Sequence, residues 1–496
     1  MTDSTEFDVV VIGGGPAGST LSTLVAMQGH RVLLLEKERF PRYQIGESLL
    51  PSTVHGVCRL TGVADELAAA GFPRKNGGTF RWGATPEPWT FAFAHSRQLA
   101  EPVSHAYQVE RSKFDEILLN NARRNGVRVR EESTVVDVIE QDDRVAGVRY
   151  TDAGGEQHEV RAAFTVDASG NMSRIHQHVG GTRWYSDFFR SIALFGYFEG
   201  GKRMPPPITG NILCVAFGSG WFWYIPLSDT LTSVGAVVRR EMAAKIQGDP
   251  ERALAALIDE CPMISDYLSE ATRVTTGQYG RLRVRKDYSY LQTAFWRPGL
   301  ALIGDAACFI DPVFSSGVHL ATYSALLAAR SINSVLAGIA GEAEAMAEFE
   351  ARYRQEYGVF YEFLTSFYDM HRDDQSYFWQ AKKVTGNSGP ELEAFVELIG
   401  GVSSGESALL DADTMAKRLR TNTAEFTAAV DAVASGEDET IEPLMKPGFV
   451  KDALAEGMAL EMRAMLGDVG GPDRPRRPGG LVASADGMFW IPSPEE

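Results

Sequence analysis

Three glycines, a glutamate and two tryptophans carry the first chemistry that this sequence declares. Gly13, Gly15 and Gly18 lie in the run Gly13-Gly14-Gly15-Pro16-Ala17-Gly18, after the β-branched stretch Phe7 to Ile12 and before a helix expected over Ser19 to Gln28. Strand, tight turn and helix in that order fit the G-x-G-x-x-G phosphate cradle. The missing side chains let backbone approach a pyrophosphate, and the helix start, with Pro16 and Ala17 in it, offers free N–H groups and a positive dipole end. A second strand, Arg31 to Leu35, ends in Glu36, placed to accept the ribose hydroxyls of an adenosine. Farther along, Gly220 to Pro226 reads G-W-F-W-Y-I-P; as a strand it points Trp221 and Trp223 to one face and Phe222 to the other. Such an indole wall can hold a bound ring system apart from a second reactant, and the same pair equally suits a buried core strand.

Two later segments make the dinucleotide FAD rather than NAD. Val166-Asp167-Ala168-Ser169-Gly170 and Leu302-Ile303-Gly304-Asp305-Ala306-Ala307 each end an apolar strand, and both resemble cofactor motifs of the glutathione-reductase-like flavoproteins. That resemblance implies contact between Asp305 and the flavin ribityl chain. Tyr107-Gln108-Val109-Glu110-Arg111 resembles the segment before a flavin-contacting arginine in the hydroxylase branch, which would be Arg111; on residue type alone, Arg111 also reads as an exposed helix arginine. No second glycine fingerprint marks a domain for NAD(P)H, so reducing equivalents are expected from elsewhere.

W-x-W-x-I-P is also the motif of the flavin-dependent halogenases, and the sequence resembles that family from residue 5 to about 385. Ile45-Gly46-Glu47-Ser48-Leu49-Leu50-Pro51 is shared with the related geranylgeranyl-reductase branch, so it does not discriminate. Gly71 to Gly83 is more specific: it is similar to the halogenase pattern G-F-x-x-K-x-G-x-x-F-x-W-G, whose lysine is Lys75 here. The resemblance implies that Lys75 holds hypochlorous acid, by hydrogen bond or as a chloramine, and delivers electrophilic chlorine at one place. Outside that pattern a lysine in such a loop is an ordinary solvated one. Asp311 to His319 follows the Gly-Asp motif and should turn into a helix over Leu320 to Leu336; the family places chloride in this loop, here against the amides of Ser316 and Gly317. A capping role for Ser315 or Ser316 is compatible with that. His319 reads as a packing histidine. Phe314 stands where the tryptophan halogenases carry a glutamate, and a phenylalanine cannot support an arenium cation by charge. The resemblance is therefore to the branch acting on phenols or pyrroles, often tethered to a carrier protein.

A chain of 496 residues with 44% hydrophobic composition suffices for two or three domains. Its net charge of −17 argues against nucleic acid and anionic membranes as partners. Cys58, Cys214, Cys261 and Cys308 are scattered without metal-ligand spacing, so no metal is expected, and a reduced, cytoplasmic setting is. The expected fold is α/β: a discontinuous glutathione-reductase-like, Rossmann-type FAD-binding domain (1–184 and 283–345), an inserted β-rich substrate domain (185–282) and a mostly helical C-terminal region (346–496). Within the last, Tyr377, Phe378 and Trp379 form an aromatic cluster, and 470–478, with Arg474, Arg476 and Arg477, looks like an exposed linker.

The expectation is a two-component halogenase. A separate flavin reductase supplies FADH2, which with O2 turns chloride into hypochlorous acid; this passes Trp221 and Trp223 to Lys75 and chlorinates an activated ring, phenolic and carrier-bound, in secondary metabolism. Two alternatives stand beside it: a flavin monooxygenase or prenyl-chain reductase of the same fold, and a non-catalytic flavoprotein scaffold.

Overall fold

Val9, Val10, Val11, Leu33, Leu34 and Val166 are all buried, whichever way their side chains point. Strands so apolar on both faces belong in a parallel sheet covered on both sides. In the computed structural model, which describes residues 6–82, 87–99, 101–286, 289–369, 391–404, 406 and 480–493, Glu6–Ile12 runs parallel between Gln157–Asp167 and Val32–Leu35. Leu300–Leu302 and Arg128–Arg130 extend that parallel order on either side. The carboxyl ends of these strands, at Ile12, Leu35, Asp167 and Leu302, open on one crevice, where ligands of such sheets bind. The first helix spans Pro16–Ala26 and starts three residues before the expected Ser19, since a proline at the first helical position is already in helical geometry.

A second sheet runs in the order Thr272–Arg273, Ser191–Glu199, Leu231–Arg239, Gly220–Pro226, Ile212–Phe217, Gly77–Arg81, Trp89–Ala92, with Arg283–Lys286 also paired to Ser191–Glu199. The β-rich segment expected between 185 and 282 is its centre, but the sheet recruits three strands from stretches that the sequence assigns to the cofactor domain. Gly77–Arg81 joins in parallel to Ile212–Phe217; pairing so distant in sequence leaves no local signal. One row of this sheet reads Phe80, Cys214, Trp223, Gly235, Phe195. Gly235 is required there: a Cβ on it would lie 2.3 Å from the Trp223 ring and 2.5 Å from Phe195 Cβ.

The long helix Ser316–Leu336 is buried almost throughout and packs on the first helix and on Glu342–Asp369. The C-terminal region is helical over Glu342–Asp369 and Glu391–Gly400, yet it closes with a β-hairpin, Leu481–Ala483 with Trp490–Pro492. The Trp490 indole donates to Ser331 Oγ at 2.7 Å, and Arg330, paired with Glu406, donates to the Gly487 carbonyl at 2.7 Å. Tyr377, Phe378, Trp379 and 470–478 lie outside the described residues. Among the described residues, no helix is long and apolar enough to cross a membrane.

Candidate active site

At the carboxyl ends of the parallel strands lies a cavity of about 450 Å³. Gly13, Gly15, Pro16, Ala17, Glu36, Arg111, Asp305, Trp221, Trp223 and Gly317 all line it. Gly18 stands behind: a Cβ there would fall 1.9 Å from the Gly13 carbonyl, so this glycine lets helix and turn close up. Gly13 has φ +100°, which favours glycine. Around Gly15 the space is open except for the Arg42 guanidinium, 3.4 Å from its ideal Cβ position.

Glu36 accepts the N–H of Gly14 at 2.6 Å and that of Glu38 at 2.8 Å. A carboxylate has lone pairs to spare beyond those two bonds, enough for a diol. Arg111 is buried, not exposed: Asp115 grips it at 2.7 and 2.9 Å, and it donates to the Ile45 carbonyl at 2.5 Å. Burial raises the Asp305 pKa to about 6, against the pull of Arg111, Arg285 and Arg183. Three polar atoms of the lining, Trp221 Nε1, Glu47 Oε2 and Ser48 Oγ, are buried without a hydrogen bond of good geometry. A glycine cradle at a helix start, a guanidinium above it, an acid at the second strand and unspent polar atoms at the indole end fit a dinucleotide with a polar ring system, as FAD is.

Trp221 and Trp223 sit side by side, ring centroids 6.2 Å apart, on the face that Phe222 turns away from. Each buries on the order of 200 Å², worth about 5 kcal/mol of apolar transfer, so the wall is also core. Lys75 lies outside the cavity lining. It belongs to the two-residue strand Arg74–Lys75, paired with Ala106–Tyr107, and is 2% exposed. Its Nζ donates to the Leu49 carbonyl at 2.9 Å and lies 5.6 Å from the Phe93 ring centre. Burial pushes its pKa down to about 7, with Cys214 acting weakly the other way.

The start of the long helix divides the expected halide loop. Gly317 and Ser315 line the cavity, whereas the Ser316 side chain is buried behind it. Ser315 takes a left-handed φ of 61°, the loop is braced by Asp311, which accepts the Val313 N–H and the Tyr368 hydroxyl at 3.0 Å each, and no acid occupies the first helical turn. His319 is held at both ring nitrogens, by Ser52 Oγ at 2.9 Å and Glu356 Oε1 at 2.7 Å, a packing arrangement that pins the helix. Phe314 is buried among Phe80, Phe363, Phe367 and Phe395, with centroids 4.6 to 6.1 Å away.

Sequence reading missed Arg42, Glu47 and Arg285 as lining residues. Arg42 and Arg285 carry no motif. Glu47 stood in a motif that does not discriminate between branches, so no role attached to it.

The family described as Tryptophan halogenase matches residues 8–103 and 94–418. A "Tryptophan 2-halogenase" of Chondromyces crocatus is 34% identical over 379 residues, 76% of this chain and 70% of that one. A "1H-pyrrole-2-carbonyl-[peptidyl-carrier protein] brominase" of Pseudoalteromonas luteoviolacea (strain 2ta16) is 33% identical across 68% of this chain and 80% of its own. Among solved structures, the myxobacterial chondrochloren halogenase CndH, described as a new variant of FAD-dependent halogenases, is 51% identical with a TM-score of 0.75, covering 98% of this chain and 100% of that one. With the flavin cradle and the indole wall in place, these matches give the chain its family: it belongs to the FAD-dependent halogenases.

Proposed function

We propose that this enzyme halogenates an activated aromatic ring, using FADH2 delivered by a separate reductase, O2 and a halide, with chloride as the first candidate. Bound and reduced, FAD supplies the two electrons with which O2 converts the halide into a hypohalous acid. Trp221 and Trp223 keep the aromatic substrate out of the cofactor cavity. Lys75 receives the oxidant beyond them: a neutral amine and HOX give N–X and water, and the ring then takes X⁺ from nitrogen and loses its proton. The observation that carries this reading is the burial of Lys75, which leaves a large share of the amine neutral near pH 7 and therefore nucleophilic. The Ser315–Gly317 helix start, without an acid of its own, is the halide site, with amides of residues 316 and 317 as donors.

The ring is electron-rich by its own substituent. Phe314 offers no charge near the reacting ring, so a phenol, or a pyrrole as in the carrier-bound substrate named for the relative above, fits better than an unactivated ring. Delivery as a carrier-protein thioester is part of the proposal. The test is mass spectrometry of products from free and carrier-tethered phenols and pyrroles, given flavin reductase, O2 and chloride or bromide. Oxygenated products without halogenated ones would replace this reading with a monooxygenase.

A further inference from the structure

A halide enters such a reaction as an anion and leaves as a neutral carbon–halogen bond: ArH + X⁻ + O2 + FADH2 + H⁺ gives ArX + FAD + 2 H2O. Each turnover therefore consumes a proton, and it must reach a cavity walled by indoles. Glu47 stands at the indole end of that cavity: the Ser233 hydroxyl that receives the Trp223 N–H at 3.1 Å also faces the Glu47 carboxyl. Glu47 Oε1 accepts the Tyr197 hydroxyl at 2.7 Å, while the buried Oε2 has no hydrogen bond of good geometry beyond the facing Ser233 hydroxyl. The chain of oxygens continues outward, since the Tyr197 and Tyr43 hydroxyls are 2.8 Å apart. Tyr43 is half-buried, with the Arg283 guanidinium 3.6 Å from its ring centre. Tyr279 lies tilted beside Tyr197, ring centroids 4.3 Å apart, but spends its hydroxyl on Glu110, so the wire does not branch there.

We propose that Glu47 is the proton donor of the cavity and that Tyr197 and Tyr43 form the wire that reprotonates it. Glu47 gives its proton to the oxygen that departs as water; the carboxylate takes one from Tyr197, which takes one from Tyr43, which takes one from solvent. Only O–H bonds break and form, and nothing is oxidised or reduced in the relay. Burial favours the protonated acid and raises its pKa to about 7; Ser233, Tyr197 and Arg111 act against that shift and Glu110 with it. The assignment rests on the halogenase reading above.

The test combines two variants and a readout that needs no turnover. Infrared titration of the cofactor-free protein is expected to show a protonated carboxyl that ionises near pH 7 and is missing in Glu47→Gln. In the FAD-loaded enzyme with reductase, Glu47→Gln should lower halogenation about 100-fold or more and remove the alkaline limb of the pH profile. Tyr197→Phe should keep the first turnover and slow the later ones, because the donor starts protonated and is only refilled slowly. A Glu47→Gln enzyme halogenating at more than half the wild-type rate with an unshifted profile, or a wild-type carboxyl already ionised at pH 6, would overturn the proposal. If the wild type yields no halogenated product at all, the functional reading fails, and the infrared titration still decides whether Glu47 holds a proton.

Discussion

Lys75 Nζ donates to the carbonyl of Leu49 at 2.9 Å, and Leu49 lies two residues beyond Glu47, which lines the cofactor cavity. One short stretch thus touches both the cavity and the amine outside it. The Leu49 N–H bonds Tyr107 and the Glu47 carbonyl accepts the Val109 N–H at 2.7 Å, so the stretch is fixed along its length.

Replacing the amine should separate oxidant formation from its use. Lys75→Ala is expected to reduce halogenated product to background while FAD binding and peroxide release persist. Lys75→Arg should fail as well, because a guanidinium stays charged and does not form a stable N–halogen bond at neutral pH. Product from either variant at a tenth of the wild-type rate would remove Lys75 from the mechanism.

The same burial carries a stability cost that depends on pH. Lys75 has a folded pKa near 7 against an ordinary 10.5, so between those values the unfolded chain binds more protons and stability rises with pH. Below pH 7 the full cost applies, on the order of 5 kcal/mol by linkage. Lys75→Met removes it but orphans the Leu49 carbonyl, which costs about 1–3 kcal/mol. The variant should therefore melt higher than wild type at pH 6, by a margin that narrows at pH 9. A margin independent of pH would show that the lysine is not desolvated in solution.

Gly235 makes room for the indole wall, and Gly235→Ala is the smallest change that disturbs it. The added methyl would collide with Trp223 and Phe195, at a cost of about 1–3 kcal/mol. With Trp223 displaced, hypohalous acid should escape, so halogenation of a small diffusible trap should rise relative to the proper substrate. An unchanged ratio in a folded variant would mean that the wall does not steer the oxidant.

Bromide soaked into crystals of the FAD-loaded enzyme should give anomalous density at the start of the helix Ser316–Leu336, against the amides of residues 316 and 317. Density elsewhere in the cavity, with that helix start empty at saturating bromide, would move the halide site.

Carrier delivery is checked by comparing one phenolic acyl group as free acid and as carrier thioester, at low and moderate salt. The thioester should be turned over faster, and more so at moderate salt, because screening relieves repulsion between an acidic carrier and a chain of net charge −17. Equal or better rates for the free acid would reject tethering without touching the halogenase assignment.

What the sequence made legible is what sits close together in the chain. Gly13, Gly15, Gly18 and Glu36 follow one another across strand, turn, helix and strand, and the alternation of Trp221 and Trp223 around Phe222 announces its own face. Lys75 was visible only within a longer pattern, and its desolvation was not visible at all, since the residues that bury it come from 49, 93 and 106. Arg42 and Glu47 reach the cavity from one loop and Arg285 from a strand far along the chain, so composition near each of them says nothing about their meeting. The pairing of Gly77–Arg81 was not legible for the same reason, a partner strand far along the chain.

The hairpin of Leu481–Ala483 and Trp490–Pro492 sets a timetable for synthesis. Trp490 and Gly487 bond the long helix across sequence separations of 156 and 157 residues. During translation that helix, whose first turn borders the cavity, lacks the cover of Trp490 until the strand Trp490–Pro492 has cleared the ribosome. Products of premature termination before residue 480 would leave Ser331 and Ser334 facing a gap that an indole should fill. A nonsense mutation that removes residues 481–492 thus acts on the helix Ser316–Leu336 as directly as a missense change beside it.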